Sequence, residues 1–161
     1  MTNIFLLLGS NLGDRPAFLD FAISDLQESV GRLVKASSVY ETAAWGLTDQ
    51  AAFLNQVLEM ETSLLPDQVL AKIHQIEKAA GRNRTIKYGA RELDIDILFF
   101  GQQVLNAPDL IIPHPQMPFR RFTLLPLAEI APDFVHPILK KPVSELLQIC
   151  PDTLEARIFR F

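Results

Sequence analysis

Residues 93–100 read Leu-Asp-Ile-Asp-Ile-Leu-Phe-Phe and are followed by Gly101. The run is apolar and aromatic at strand length, so it predicts a largely buried β-strand that ends at the glycine. Two acids interrupt it at alternate positions, and alternate residues of a strand share a face. We therefore expect a strand with apolar residues on one face and two carboxylates on the other.

The elements before this strand complete the pattern that decides the fold. The short apolar run 4–8 predicts a first strand, and apolar residues at helical spacing predict a first helix over 16–31. Two antiparallel strands, 33–42 and 52–62, and a second helix over 66–81 follow. The order strand, helix, strand, strand, helix, strand predicts an α+β fold with a ferredoxin-like βαββαβ core.

The remaining residues predict a C-terminal elaboration of that core. We expect a small hairpin near Gln102-Gln103, a proline-rich bend over 108–118, and helices near 122–130 and 143–149. No repeat or linker interrupts the 161 residues, of which 48% are hydrophobic. The sequence therefore predicts a single domain spanning 1–161.

Composition restricts the partners and the compartment. The net charge of −4 argues against a protein that binds mainly a nucleic-acid backbone. The single cysteine, Cys150, permits no intramolecular disulfide, and the first apolar run stops at Gly9, too short for a signal peptide or a membrane span. We expect a cytoplasmic monomer without a nucleic-acid or membrane partner.

A basic segment directly precedes the two acids of the last strand. Its four cations, with no acid among them, are Arg82, Arg84, Lys87 and Arg91. Such a run is often only a solvated loop, but a guanidinium group also pairs phosphate oxygens in bidentate fashion. Its direct junction with carboxylates favours a phosphate-binding role.

The carboxylates themselves have the spacing of a metal site. The Cα atoms of Asp94 and Asp96 should lie about 6.6 Å apart on a strand, at about 3.3 Å per residue. Carboxylates so placed can flank two hard cations about 3.5–4 Å apart, the geometry used in phosphoryl transfer. An Asp-x-Asp pair alone is more typical of a solvated face. Together with the cations it predicts a magnesium-nucleotide site.

The same region resembles a known enzyme family. Residues 87–98, Lys-Tyr-Gly-Ala-Arg-Glu-Leu-Asp-Ile-Asp-Ile-Leu, resemble the signature of 6-hydroxymethyl-7,8-dihydropterin pyrophosphokinases. Residues 8–14, 81–82, 112–115 and 121–127 resemble further landmarks of that family, in the right order. The resemblance implies transfer of the β,γ-diphosphate of ATP to the hydroxymethyl group of a reduced pterin, with release of AMP, in folate synthesis.

The resemblance also implies a set of nucleotide and metal residues. Asp94 and Asp96 would hold two magnesium ions, and Arg82 and Arg91 would be catalytic residues of a mobile loop. The ATP-binding residues implied are Glu77, Arg82, Arg91, Ile97, His114 and Arg120. His74 maps near the adenosine, but a lone histidine on a helix is typical of the surface, so we assign it no role.

A pterin-binding set can be argued from chemistry and from the resemblance. A flat bicyclic ring is best held between aromatic faces, and an amide can both donate and accept at its edge. Phe53 and Asn55 share a strand face, and Phe122 can form a second wall. With eleven phenylalanines in the chain, core packing is the alternative for both rings. The residues implied are Thr42, Phe53, Asn55, Asp94 and Phe122.

Other classes of protein remain as alternatives. An RNA-binding module of this topology would need the basic-aromatic RNP pattern, which residues 53–61 lack. A ferredoxin-like regulatory domain that binds a small ligand would have no use for paired aspartates beside four cations. A nucleotidyltransferase would use the same metals but release pyrophosphate. No residue stands out as a general base.

Overall fold

The computed structural model describes residues 1–42, 52–81 and 92–161. The order of elements in its core matches the predicted βαββαβ pattern. In chain order the elements are β1 (Thr2–Ser10), α1 (Arg15–Ser29), β2 (Gly31–Ala36), β3 (Tyr40–Thr42), β4 (Phe53–Thr62), α2 (Pro66–Ala79), β5 (Asp94–Phe100), β6 (Leu105–Ala107), β7 (Leu110–Ile112), a 3-10 turn (Met117–Phe119), α3 (Arg121–Ile130), α4 (Val143–Ile149) and β8 (Ala156–Ile158).

The main sheet is antiparallel and has β1 near its centre. Its strand order is β5-β1-β4-β3-β8, and β2 also pairs with β4. β1 pairs along its length with both β4 and β5. This arrangement confirms the predicted α+β, ferredoxin-like core, while β6 and β7 form a separate two-stranded sheet.

Each face of the sheet has its own hydrophobic core. Ile4, Leu6 and Leu8 of β1 pack with the apolar sides of α1 and α2. Phe5 and Leu7 point the opposite way and pack with side chains of α3 and α4, and we call this cluster the second core. Because both faces are covered, β1 is apolar at consecutive positions rather than alternating with polar ones.

The helix α1 begins and ends where local chemistry requires. The Asp14 carboxylate accepts a hydrogen bond from the backbone N–H of Ala17 at 3.2 Å, and Pro16 occupies the first turn. At the other end, a Cβ on Gly31 would lie 1.9 Å from the carbonyl oxygen of Glu61. Only glycine therefore allows β2 to approach β4 there.

No helix among the described residues combines the length and hydrophobicity needed to span a bilayer.

The predicted strand 33–42 is wrong as a single element, because it divides into β2 and β3. Ser37 lies at the break and bonds to Val57 through both its backbone and its side chain: its N–H donates to the carbonyl, and its Oγ accepts from the N–H, each at 2.9 Å. The hydroxyl thus takes the place of a backbone acceptor. Ala36 pairs with Leu58 but Tyr40 pairs with Asn55, so one extra residue is accommodated on the β2–β3 side.

The elaboration also differs in detail from the prediction. The hairpin joins β6 and β7 through Pro108 and Asp109, so it lies beyond Gln102-Gln103, and its turn and second strand fall in the predicted bend. Proline and aspartate are favoured turn residues, which explains the shift. The strand β8 was not predicted, and it pairs with β3 at the edge of the main sheet. The helices near 122–130 and 143–149 are confirmed as α3 and α4.

A buried histidine lies beside the second core. His136 is 4% exposed, and its Nδ1 accepts hydrogen bonds from the backbone N–H groups of Ile138 and Leu139, each at 3.1 Å. Burial lowers the pKa of His136 below its usual value. The unfolded chain therefore binds a proton more readily than the folded one once the pH drops below about 6.5. The contribution of His136 to the free energy of unfolding therefore decreases as the pH falls through that range.

We expect acidification to destabilise the parent more than a His136→Asn variant. The asparagine Oδ1 can still accept the two backbone hydrogen bonds but does not titrate. Thermal melting at pH 7.5 and pH 5.5 should show a loss of melting temperature a few degrees smaller in the variant. His74→Asn, at an exposed histidine of α2, is the matched control. Equal pH dependence in parent and His136→Asn would contradict the expectation.

Candidate active site

The centre of the site is a row of three residues across the sheet. Gly9 of β1 pairs with Asn55 of β4 on one side and with Asp94 of β5 on the other. Residues directly opposite each other in adjacent strands point to the same face. Asn55 and Asp94 therefore share a face, and two strand spacings separate their Cα atoms by about 10 Å.

The two aspartates alternate with buried isoleucines, as the sequence predicted. Asp96 lies opposite Leu7, two residues from Asp94, so both carboxylates point to the face of the α3–α4 core. Ile95 and Ile97 belong to the opposite core, beneath α1 and α2, and each is 4% exposed. The hydrophobic residues of β5 thus fix the orientation of the carboxylates.

A groove with a volume of about 420 Å³ runs beside the aspartates. It lies between α2, β5, the β6–β7 hairpin and the segment that follows the hairpin. Among the predicted residues it brings together Glu77, Asp94, Asp96, Ile97 and His114. The other described residues that line it are Leu70, His74, Ile95, Pro108, Asp109, Leu110, Ile111 and Pro115. His74, to which we assigned no role, is therefore part of this wall.

Glu77 reaches the site from the buried side of α2. Its side chain is nearly inaccessible, at 2% exposure, and its Oε2 accepts a hydrogen bond from the backbone N–H of Ile95 at 2.9 Å. Ile95 lies between the two aspartates, so this bond ties the strand that carries them to the helix. The predicted ATP-contact residue lines the groove and also positions the carboxylate pair.

His114 offers a hydrogen-bond donor at the groove. Its Nδ1 accepts from the backbone N–H of Gln116 at 3.2 Å. Burial lowers the pKa of His114, and the positive charge of Arg120 lowers it further, against the opposing effect of Asp94. The ring is therefore neutral near pH 7. Because Nδ1 is an acceptor, the proton resides on Nε2, which can donate to a ligand oxygen.

A second group of predicted residues surrounds Asn55. Thr42 pairs with Phe53 across β3 and β4, and Thr42 and Asn55 are each 4% exposed. Phe53 and Asn55 share the face that also carries Asp94. A Cβ on Gly9 would lie 3.1 Å from the Asn55 Oδ1, so glycine leaves room for the amide. This requirement on Gly9 was not predicted from the sequence, where the apolar run simply ends there.

Phe122 connects the aromatic group with a cation. The ring is partly buried against the core beneath α3 and α4. The Arg120 guanidinium lies 5.8 Å from the centroid of the Phe122 ring, within the range of a cation–π contact. The residue predicted for ATP and the residue predicted for pterin are therefore neighbours at the start of α3.

The donor set fits magnesium shared with a phosphate ligand. No cluster of three or more His, Cys, Asp or Glu side chains suited to a metal occurs within residues 1–42, 52–81 and 92–161. Magnesium is commonly bound by one or two carboxylates, with water and substrate phosphates completing its octahedral shell. Asp94 and Asp96 place two carboxylates, which are hard oxygen donors of this kind, on one face. Arg82 and Arg91, predicted to be catalytic, lie outside the described residues.

Comparison with known proteins identifies related chains. The family model of 7,8-dihydro-6-hydroxymethylpterin-pyrophosphokinase (HPPK) matches residues 5–132. The 2-amino-4-hydroxy-6-hydroxymethyldihydropteridine pyrophosphokinase of Aquifex aeolicus is 46% identical over 145 residues, which cover 90% of each chain. The Bacillus subtilis protein of the same name is 46% identical over 132 residues, covering 81% of this chain and 79% of its own.

A solved structure shares the fold at lower sequence identity. The crystal structure of Plasmodium falciparum HPPK-DHPS wild type with pteroate has a TM-score of 0.76 and 17% identity. The match covers 91% of this chain but 42% of that longer one. The family match and the close relatives lead to one conclusion: this chain belongs to the 7,8-dihydro-6-hydroxymethylpterin-pyrophosphokinase family.

Proposed function

We propose that this chain transfers the β,γ-diphosphate of ATP to the hydroxymethyl oxygen of 6-hydroxymethyl-7,8-dihydropterin, giving AMP and the pterin diphosphate of folate synthesis. Family membership supports the reaction. The observation that carries it is the row Asn55, Gly9, Asp94, which sets an amide suited to the pterin edge about 10 Å from a carboxylate suited to magnesium. A bicyclic ring with its hydroxymethyl arm can extend between these two positions.

The pterin is held by the residues around Asn55. Its ring packs between Phe53 and Phe122, whose faces offer stacking surfaces. The Asn55 amide and the Thr42 hydroxyl supply donors and acceptors for the ring edge. Because both polar residues are nearly inaccessible to solvent, a ligand that leaves them unpaired loses affinity.

The nucleotide occupies the groove beside β5. Asp94 and Asp96 are the ligands of two magnesium ions, and Glu77 holds their strand in place through Ile95. Magnesium supplies neutralisation of the charge on the transferring diphosphate. His114 donates from Nε2, and Arg120 adds a positive charge near His114. Asp94 also contacts the pterin, since it lies at the junction of the two binding regions.

The basic segment completes the proposed site. Arg82 and Arg91 act as catalytic residues that pair with phosphate oxygens, as the family resemblance implies. Bidentate pairing aligns the diphosphate with the attacking hydroxyl and so lowers the entropic part of the barrier. Ile97 lines the same groove, and we assign it to the adenosine side.

The reaction needs one copy of the chain. The described residues proposed for ATP, metal and pterin all come from one sheet and the elements packed on it. We therefore propose a monomer, made of one domain over 1–161, that works in the cytoplasm. Cys150, the single cysteine, is consistent with a reducing compartment.

The first expected outcome is that AMP is the nucleotide product. Attack of the hydroxymethyl oxygen at the β-phosphorus moves the terminal two phosphates together and leaves AMP. Purified protein is incubated with ATP, magnesium and the reduced hydroxymethylpterin, and the nucleotides are separated by chromatography. ADP, or pyrophosphate together with a nucleotidylated pterin, would show a different reaction, and no reaction would favour a small-ligand-binding regulatory domain.

We expect Asp96→Ala, and likewise Asp94→Ala, to abolish turnover while preserving the fold. Each carboxylate leaves the face opposite the buried isoleucines, so its removal opens no core cavity. Loss of a metal ligand should cost about 4 kcal/mol of transition-state stabilisation, roughly a thousandfold in rate. Melting temperature and turnover are measured with magnesium titrated in both.

Asp20→Ala, at an exposed position of α1, is the matched control and should keep the activity of the parent. If the Asp96→Ala variant melted far below the parent, the pair would be structural. Near-normal turnover in either aspartate variant would contradict their role as magnesium ligands.

We expect Phe122→Ala to weaken pterin binding by roughly 5- to 150-fold, corresponding to about 1–3 kcal/mol of lost stacking and burial. Binding of a non-hydrolysable ATP analogue should change little. Calorimetric titration of each ligand separately is the test. Phe122→Leu, which keeps much of the buried volume but not the aromatic face, separates the two effects. Equal losses for pterin and nucleotide would show that Phe122 is ordinary core.

A further inference from the structure

A cluster of hydrogen bonds joins helix α3 to β3. The Tyr40 hydroxyl donates to Glu129 Oε1 at 2.6 Å. The backbone N–H and the hydroxyl of Ser38 donate to Glu129 Oε2 at 2.8 and 3.2 Å. Hydrogen bonds to an ionised acceptor are stronger than bonds between neutral groups. Burial, the hydrogen bond to Glu129 and its charge raise the pKa of Tyr40 to about 12, so the phenol stays a donor at neutral pH.

The helix that carries Glu129 depends on such contacts. α3 is 10 residues long and contains Pro126, which removes an internal backbone hydrogen bond. Helices of this length are marginal without tertiary support. At the first turn, Asp152 accepts from the backbone N–H of Arg121 at 3.0 Å. Glu129 secures the last turn, so a carboxylate contact fixes each end of α3.

The cluster lies at a defined position relative to the proposed pterin residues. Glu129 follows Phe122 by seven residues, nearly two helical turns, so both occupy the same side of α3, about 10.5 Å apart along its axis. Tyr40 lies directly opposite Asn55 and two residues before Thr42. The hydrogen bond between Tyr40 and Glu129 therefore joins α3, which carries Phe122, to β3, which carries Thr42 and pairs with β4 at Asn55.

We propose that Tyr40 and Glu129 are positioning residues: their hydrogen bond sets the height of α3 above β3 and β4, and so places Phe122 against the bound pterin. The inference rests on the proposed function, because it takes pterin as the ligand that Phe122 contacts. Leu124 and Leu127 of α3 are fully buried in the second core. They keep the helix packed when the hydrogen bond is lost, so its loss displaces Phe122 without unfolding the chain.

The test begins with Tyr40→Phe, which removes one hydroxyl and keeps the ring. Its dissociation constant for 6-hydroxymethyl-7,8-dihydropterin, measured by calorimetry with magnesium and a non-hydrolysable ATP analogue, should rise about three- to tenfold. The constant for the analogue should stay within about twofold of the parent. Thr62→Val is the matched control: it removes the hydrogen bond from Thr62 to the Val30 carbonyl at 2.7 Å, at the far end of β4, and should leave pterin affinity unchanged.

Two further comparisons separate positioning from a general loss of stability. In a Phe122→Ala background, Tyr40→Phe should change pterin affinity by less than about twofold, because the residue it positions is gone. Glu129→Gln keeps a side-chain acceptor for Tyr40 and should retain more affinity than Glu129→Ala. The same factor in both backgrounds, or equal losses in the two Glu129 variants, would overturn the proposal.

The controls also separate this inference from the proposed reaction. A parent protein that binds no pterin and forms no AMP would overturn both. An active parent whose Tyr40→Phe variant matches Thr62→Val in pterin affinity would overturn only the positioning role.

Discussion

The site depends on the pairing of β1 with β4 and β5 in one fixed register. This pairing places Gly9 between Asn55 and Asp94, which lie far apart in the chain. A slip of one residue would turn every side chain of the slipped strand to the other face. The slip would bury carboxylates under α1 and α2 and expose the isoleucines of β5. The hydrophobic alternation of the core therefore enforces the geometry of the proposed ligand sites.

The two faces of the sheet have different roles along the same strands. Under α1 and α2 the apolar residues of β1 continue from Ile4 to Leu8. On the other face, Phe5 and Leu7 are followed by Gly9, the small residue at the centre of the row Asn55, Gly9, Asp94. The helices α3 and α4 cover Phe5 and Leu7, and the proposed ligand residues Asn55 and Asp94 lie on either side of Gly9. The proposed binding site thus lies where the second core ends, without a break in the sheet.

Sequence periodicity predicted the parts of the fold that depend on local pattern. The alternation in 93–100 was enough to predict the faces of Asp94 and Asp96. The break at Ser37 was not predictable in this way. It depends on the Ser37 hydroxyl, which accepts a hydrogen bond from the backbone N–H of Val57 on β4, 20 residues away in the chain. The contact of Glu77 with Ile95 and the pairing of β8 with β3 also depend on long-range register. The family resemblance, rather than spacing, supplied the roles of His114, Arg120 and Phe122.

Glu77 shows why such a site requires a well-packed scaffold. Burying a carboxylate costs free energy unless its oxygens receive hydrogen bonds. The Glu77 carboxylate accepts one from the backbone N–H of Ile95, which lies on β5 between Asp94 and Asp96. Ile73 and Ile76 of α2 and Ile95 and Ile97 of β5 pack in the core on one side of the sheet, and each buried side chain contributes about 1.5–3 kcal/mol. This packing fixes α2 against β5. It thereby fixes the proposed magnesium and nucleotide residues on both elements, so that little reorganisation is needed when a ligand binds.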